Sequence, residues 1–396
     1  MATLRPWRRP RPGLFLRESC QRAHYRLAVR VRLPGAVLAC LLAWPAAAER
    51  WRVQYLYDEA KSNLVLNDLK FASAQRGVAV GYIEEGRKTR PAALVTADGG
   101  LHWSIVPTRE VGVSLFFLGE RTGWMVTPKG LWQTTEAGRS WRKLPSSPKG
   151  VLRVHFLDER HGFAIGMKKS VFETRDGGDH WTEVAAAAEP KANPEYSSYT
   201  WITFATPQAG IISGWSLPPR RGEEDLPDWI EPDRAIRRSE VPHLSLTLET
   251  KDGGKTWSPS TTSMFGRITR IRFGPTGTGL GLVEFAQAFS WPAEVYRLNF
   301  RTGANERVYR EKNRAITDVW ITESGTGYLA GIEVLGQLRT AGIPGKLKIL
   351  RSADLTKWAE MDVDYRAVAN RATLSVVDDR NLWVATDTGI ILKLQP

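Results

Sequence analysis

An eight-residue box recurs along this 396-residue chain, and recurrence at a near-constant interval limits the fold more than any other feature. The copies are Thr96-Ala-Asp-Gly-Gly-Leu-His-Trp103, Thr134-Thr-Glu-Ala-Gly-Arg-Ser-Trp141, Thr174-Arg-Asp-Gly-Gly-Asp-His-Trp181 and Thr250-Lys-Asp-Gly-Gly-Lys-Thr-Trp257, with a shorter relative from Ser352 through Asp354 to Trp358. Units of roughly 40 to 50 residues built from short strands are the mark of radial or stacked repeats.

A second pattern precedes each box: an apolar anchor, a glycine six positions on, and usually a small residue four further on. Phe71 with Gly77 and Gly81, Phe117 with Gly123, Phe156 with Gly162 and Gly166, Phe204 with Gly210 and Gly214, Phe273 with Gly279, and Ile321 with Gly327 and Gly331 count six units; Val377, Asn381 and Ala385 make a shortened seventh. Within a unit the alternation has strand period, with Leu152, Val154 and Phe156 on one side and Arg153 and His155 on the other. The glycine turns the chain into a second strand, a third runs into the box, and a fourth starts at its Trp. The predicted fold is therefore all-β: a seven-bladed β-propeller of four-stranded antiparallel blades. The last unit ends on a third strand, Ile390-Ile-Leu-Lys-Leu394, and Trp51-Arg-Val-Gln-Tyr-Leu-Tyr57 resembles the segment that follows a box. This N-terminal strand is expected to complete the seventh blade and so remove two open sheet edges.

Residues 1–48 read as a secretory signal peptide: nine Arg against one acid, Glu18, then an apolar run from Gly35 to Trp44 and a cleavage motif ending at Ala48. Val37-Leu-Ala-Cys40 has some likeness to a lipobox, but the apolar run before Cys40 is short. Residues 49–396 then form a single propeller, periplasmic or secreted, with an insertion in blade four at 216–245. The leader carries eight of the formal +13 charges, leaving about +5 on the rest, so the basic balance argues for targeting and against nucleic-acid binding. Both cysteines, Cys20 and Cys40, lie in the leader, which excludes disulfides and thiolate metal sites from the propeller. No histidine has ligand spacing, and neither metal nor cofactor is expected.

Ser/Thr-x-Asp-x-Gly-x-x-Trp is the Asp-box, or BNR repeat. Its residues here, Asp98, Trp103, Glu136, Trp141, Asp176, Trp181, Asp252, Trp257, Asp354 and Trp358, are read as structural. The carboxylate accepts turn N–H groups, the glycines supply positive φ, and the Trp packs over the hairpin. A motif repeated around a ring is a poor candidate for a site needed once.

Together, the blade pattern, the box and the closure resemble the photosystem II stability and assembly factor family of BNR propellers, with Gly123-Trp-Met-Val126 and Gly162-Phe-Ala-Ile-Gly166 before the boxes. The resemblance implies a non-enzymatic scaffold that docks membrane-protein assembly intermediates, with only indirect membrane contact. The blade-four insertion, the altered boxes at Glu136 and Asp354 and the missing box near Thr302-Gly303 are departures from the family pattern. Sialidases share the box and supply the enzyme alternative, a glycosidase or lectin acting on acidic glycans. Their Arg-Ile-Pro signature is absent, Arg90-Pro-Ala-Ala being its nearest match.

Binding is expected on the face opposite the boxes, where the longer segments collect: 84–92, 185–199, 216–245, 285–292 and 333–346. The blade-four insertion offers Arg220, Arg221, Trp229, Arg237 and Arg238 among acids. The innermost strands place Asp68, Lys70, Arg153, His155, Trp201, Arg270, Arg272, Asp318 and Trp320 toward the central channel. Two readings of that ring stand side by side: a basic mouth for an acidic peptide, with Arg153 and Arg270 gripping carboxylates, or a channel of compensating ion pairs.

Overall fold

A phenylalanine closing the innermost strand lies over the glycine that opens the next, and this pairing organises blade after blade. A Cβ on Gly77, Gly123, Gly162 or Gly210 would stand only 2.5–2.6 Å from the ring of Phe71, Phe117, Phe156 or Phe204, so the ring occupies the space a side chain would take. The uncovered faces of these rings meet the preceding blade: Phe71 stacks on Trp383 at 3.5 Å and Phe156 on Trp124 at 3.7 Å. The box tryptophan meets the same ring edge-on, Trp103 with Phe71 at 5.8 Å and Trp181 with Phe156 at 6.2 Å. Anchor, glycine and box are thus three parts of one joint between blades.

The computed structural model describes residues 49–217, 242–274, 276–285, 291–333 and 345–396. They form seven antiparallel sheets in consecutive order. The innermost strands are Ser62–Phe71, Ser114–Phe117, Val151–Phe156, Ser197–Phe204, Arg267–Phe273, Arg314–Ile321 and Ala372–Asp378. The hydrophobic clusters lie in the seams: Val154, Phe156 and Ala164 of blade three pack with Trp124 and Val126 of blade two, and Leu280 and Val295 of blade five with Val319 and Leu329 of blade six. Blade seven takes its fourth strand from the start of the propeller: Arg50–Leu56 pairs antiparallel with Ile390–Gln395, Trp51 opposite Leu394. On its other side Asp362–Val363 pairs parallel with it, a fifth strand that the repeat pattern does not contain.

Three details differ from the sequence reading. In blade three Val151 and Val154 are buried while Leu152 is not, because Leu152 is the extra residue of a β-bulge between Val151 and Arg153. In blade seven Val376, not Val377, faces the second strand at the anchor position, opposite Leu382, and a register shift follows it. The segment 84–92 is no loop: it continues strands Gly77–Glu85 and Lys88–Thr96 as a regular hairpin, with Glu85 opposite Lys88.

The bulge recurs in blades one, three, four, five and six, always just before the residue three positions ahead of the anchor: Asp68, Arg153, Trp201, Arg270 and Asp318. A bulge re-aims the side chain that follows it. Here it restores the alternation that carries these five residues inward.

The boxes are hydrogen-bonded staples. Asp98 Oδ1 accepts the His102 N–H at 2.9 Å and the Thr96 hydroxyl at 2.9 Å, while Gly100 N–H donates to Thr96 Oγ1 at 3.0 Å. The same bonds recur around Asp176 and Asp252. Glu136, one methylene longer, instead accepts from Ser140 Oγ at 2.6 Å. Where the box is missing, Asn299 Oδ1 accepts the N–H groups of Arg301 and Thr302. The N–H groups of the box turns hold the carboxyls of Asp98 and Asp354 below the usual range, and the hydroxyl and N–H of Thr256 do the same for Asp252; Asp98 and Asp252 fall to about 2. With the folded value depressed, the stabilisation is complete above the unfolded pKa near 4 and is lost as pH falls through about 2. Between those limits an Asp98→Asn/Asp252→Asn variant should show a flatter decline of urea midpoint with falling pH than wild type; identical slopes would refute the assignment.

Candidate functional site

The innermost strand of each blade runs toward the box side, since boxes join third to fourth strands and neighbouring strands alternate in direction. Residues three before the anchor therefore form a channel layer nearer the loop-rich face, and those one before it a layer nearer the boxes. The first layer is Asp68, Ser114, Arg153, Trp201, Arg270, Asp318 and Thr373; the second is Lys70, Phe116, His155, Thr203, Arg272, Trp320 and Ser375.

Trp201 is the hub. Its Nε1 donates to the Ile271 carbonyl of the next blade at 2.7 Å, which fixes the indole plane. The guanidinium carbons of Arg153, Arg270 and Arg272 lie 4.3, 4.8 and 4.8 Å from its ring centroid, and Arg272 also lies 4.0 Å from that of Trp320. Indole faces hold cations without supplying negative charge, so like charges gather here more closely than acids alone would permit.

The two aspartates are largely committed to backbone. Asp68 Oδ1 accepts Leu69 N–H and Lys70 Nζ, and its Oδ2 accepts Leu115 N–H of blade two at 2.9 Å. Asp318 repeats the arrangement: Oδ1 accepts Val319 N–H and lies 3.3 Å from Arg270 Nε, and Oδ2 accepts Leu374 N–H of blade seven at 2.9 Å. Each carboxylate thus ties its innermost strand to the next. Burial opposes ionisation of Asp68, but Lys70, Arg153 and the Leu115 N–H outweigh it and hold the carboxyl below its ordinary value. Burial, reinforced by Arg270, pushes Arg153 down to about 9. Burial and then Arg272 push His155 to about 4, so it is neutral near pH 7, packed between Phe116 and Phe204.

Arg153 and Arg270, the expected carboxylate grips, both have protein partners: Arg153 Nε donates to Thr200 O at 3.1 Å, and Arg270 Nη1 to Thr269 O at 2.8 Å in addition to its pair with Asp318. All nine channel residues named from sequence fall in these two layers. Arg220, Arg221, Trp229, Arg237 and Arg238 lie outside the described residues. Ser114, Phe116, Thr373 and Ser375, which complete the layers in blades two and seven, are not among the residues that the sequence singles out. Nor is the rim of the channel, where Arg371 meets Glu284 at 2.9 Å and Arg267 stacks on Trp215 at 4.6 Å.

The loop-rich face also carries Lys169, whose ammonium is buried and donates to the carbonyls of Ala188, Pro190 and Ala192 at 2.9, 2.5 and 3.3 Å. One side chain so pins the segment 185–199, and a lysine in a Lys-Lys-Ser turn gives no sequence signal of that role. Of the eight exposed large hydrophobic residues among the described ones, five lie in connections on this face: Val113, Met167, Tyr196, Phe265 and Tyr365. Among the described residues no three His, Cys, Asp or Glu side chains gather as metal ligands would, and no helix is long and apolar enough to cross a membrane.

Comparison with known proteins places this geometry. The family model described as photosynthesis system II assembly factor YCF48 matches residues 147–214, which span blade three and the first half of blade four. The photosystem II assembly lipoprotein Ycf48 of Synechococcus sp. (strain CC9902) is 22% identical over 210 residues, covering 48% of this chain and 62% of that protein, so the match spans under two thirds of the relative's length. Among solved structures, YCF48 bound to D1 peptide is 17% identical with a TM-score of 0.54, covering 86% of this chain and 98% of the other. YCF48 from Cyanidioschyzon merolae is 18% identical with a TM-score of 0.54, over 87% and 98%. An ancestral GH74 enzyme reaches the same TM-score at 10% identity, over 86% of this chain and 46% of its own; at such identities the likeness is one of fold. The chain is a BNR-repeat β-propeller similar to the photosystem II assembly factors, by family model through one and a half blades, by alignment with one relative over 48% of the chain, and by fold through most of the ring.

Proposed function

We propose that this protein is an exported, non-enzymatic scaffold that docks a protein or peptide partner on its loop-rich face, with an acidic segment directed toward a channel that is basic over its two layers taken together. The asymmetry of the ring carries the proposal. The box face carries short hydrogen-bonded turns, whereas the opposite face has the long connections and five exposed apolar side chains. A solved relative is titled as bound to D1 peptide, and by analogy the partner here is a peptide segment of a membrane-protein assembly intermediate. A glycosidase needs a pair of carboxyl groups free to donate a proton or attack. Both channel carboxylates accept backbone N–H bonds that tie strands together, which favours the scaffold reading.

Affinity capture from the exported fraction tests it. Met167→Glu/Tyr365→Glu, at side chains 53% and 85% exposed, should lower partner recovery at least tenfold, and Arg153→Ala should weaken it further. Leu101→Glu, on the box face and 68% exposed, should leave recovery unchanged. Loss only with Leu101→Glu would move docking to the box face, and hydrolysis of an acidic glycoside would overturn the non-enzyme reading. Intact mass from the same preparation should begin at Glu49, as cleavage after Ala48 requires; a lipid-modified Cys40 at the start would replace that cleavage.

A further inference from the structure

Formal charge is unevenly distributed along the channel. In the layer nearer the loops Arg153 and Arg270 are matched by Asp68 and Asp318. In the layer nearer the boxes Lys70 and Arg272 stand with no carboxylate among Phe116, His155, Thr203, Trp320 and Ser375. Lys70 reaches back to Asp68 at 3.0 Å and to its own strand at the Leu69 carbonyl. Arg272 makes no hydrogen bond among the described residues: its Nε is buried without an acceptor, its faces lie on Trp201 and Trp320, and Asp318 and Asp68 attract it only through space. Stacking occupies the two faces of a guanidinium and leaves its in-plane N–H fork available.

The nearest alternatives for satisfying that fork are taken. Asp318 already accepts two backbone N–H groups and pairs with Arg270, and Asp68 accepts two backbone N–H groups and Lys70. The layer offers donors instead. His155 is neutral and makes only ring contacts among those described, and Ser375 Oγ accepts Phe71 N–H at 2.7 Å, which leaves its own proton to give. An enclosure with a guanidinium fork that no described acceptor fills, a second cation at Lys70 and no carboxylate in its own layer has the chemistry of an anion site.

We infer that the box-side layer of the channel binds a small oxyanion, held in the fork of Arg272 and facing Lys70. An oxyanion presents two adjacent oxygens to the guanidinium edge, which a spherical halide does not. The site lies deeper than the loop-face docking proposed above and does not depend on it.

The test uses the processed full chain without any partner. Isothermal titration with sodium sulfate, sodium phosphate and sodium acetate, each against sodium chloride at matched ionic strength, should give one site per chain for an oxyanion and none for chloride. Arg272→Gln should weaken that binding at least tenfold, and Lys70→Gln should weaken it as well. Arg267→Gln, at the loop-side rim, should leave it unchanged. Equal heats and equal thermal protection from chloride would reduce the effect to screening and overturn the site, as would undiminished binding in Arg272→Gln. Should that variant fail to fold, Lys70→Gln and the wild-type stoichiometry decide on their own. Loss of partner capture with oxyanion binding intact would strike the docking proposal alone.

Discussion

Trp51→Ala is expected to lower the stability of the propeller by about 3–5 kcal/mol, the usual cost of emptying a buried tryptophan site. Trp51 is fully buried, and its cluster contains Ile332, Leu347 and Ile349 of blade six with Leu374, Leu382 and Leu392 of blade seven. Its strand is paired on both sides, to Leu394 antiparallel and to Val363 parallel, and its indole N–H donates to Met361 Sδ at 3.4 Å. The cavity would therefore open exactly where one end of the ring is fastened to the other. The kinetic signature should be as telling as the size. Trp51 and Met361 are 310 positions apart, and Trp51 and Leu394 pair across a longer stretch still, so these contacts close very long loops and are expected to form late. Late contacts place most of a mutation's cost on the unfolding rate. Urea chevrons should show the unfolding arm raised and the refolding arm little changed, with Tyr365→Ala, at a residue 85% exposed, matching wild type. A slowed refolding arm would mean that closure nucleates folding instead of completing it.

The blades were legible in the sequence because most joints use residues with few other uses: a Phe over a Gly, and a Trp at the end of a box. The closure was legible for a related reason, since a third strand with nothing after it and a first strand resembling a fourth imply each other. The bulges were not. Strict period-two reading of Leu152, Val154 and Phe156 assigns Leu152 to the core, where Val151 belongs. Counting back from the anchor never crosses the bulge, so the nine residues named from sequence fall in the two inner layers all the same. Blade seven failed where the anchor itself is ambiguous: Val376 and Val377 are adjacent, and no glycine follows to choose between them. Contacts such as the ammonium of Lys169 among three carbonyls depend on the path of a loop, and composition carries no trace of that path.

The distribution of charge was also hidden. On paper the channel is a mixed ring, and either a binding mouth or a set of ion pairs accounts for it. Resolved into layers, one is compensated and strand-tying, the other surplus in donors.

The small residue ten positions past the anchor, used above only to count blades, has a mechanical reason that yields the second large effect. Gly81 sits opposite Leu66 at the bulge of blade one, and a Cβ there would lie 1.8 Å from the Val65 carbonyl oxygen. Gly166 and Gly214 would meet the carbonyl oxygens of Gly150 and Ser198 at 2.1 Å. The bulge swings this carbonyl toward the second strand, and only glycine leaves room for it. Blade five makes the same clearance from the other side: Val283 occupies the position, and Gly266 on the preceding turn gives way, since a Cβ on it would lie 2.6 Å from Val283 Cγ1. Blade two has Thr127 at the position and no bulge. Gly81→Ala should therefore cost at least about 3 kcal/mol, above the common range for overpacking because the obstacle is backbone and cannot change rotamer. Gly86→Ala should cost only about 1 kcal/mol: its φ of +62° is unfavourable for alanine, but nothing lies within 4 Å of the added methyl. The order of the two decides the mechanism, since the glycine with the positive φ is predicted to be the cheaper to replace. Urea denaturation of both variants measures it. Relief of the crowding requires the bulge to flatten, which would turn Asp68 away from Leu115 and weaken the bond between the first two blades. Amide exchange at Leu115 should accordingly rise in Gly81→Ala and stay at the wild-type rate in Gly86→Ala; comparable losses in both variants would show that backbone conformation, not the bulge, fixes these glycines.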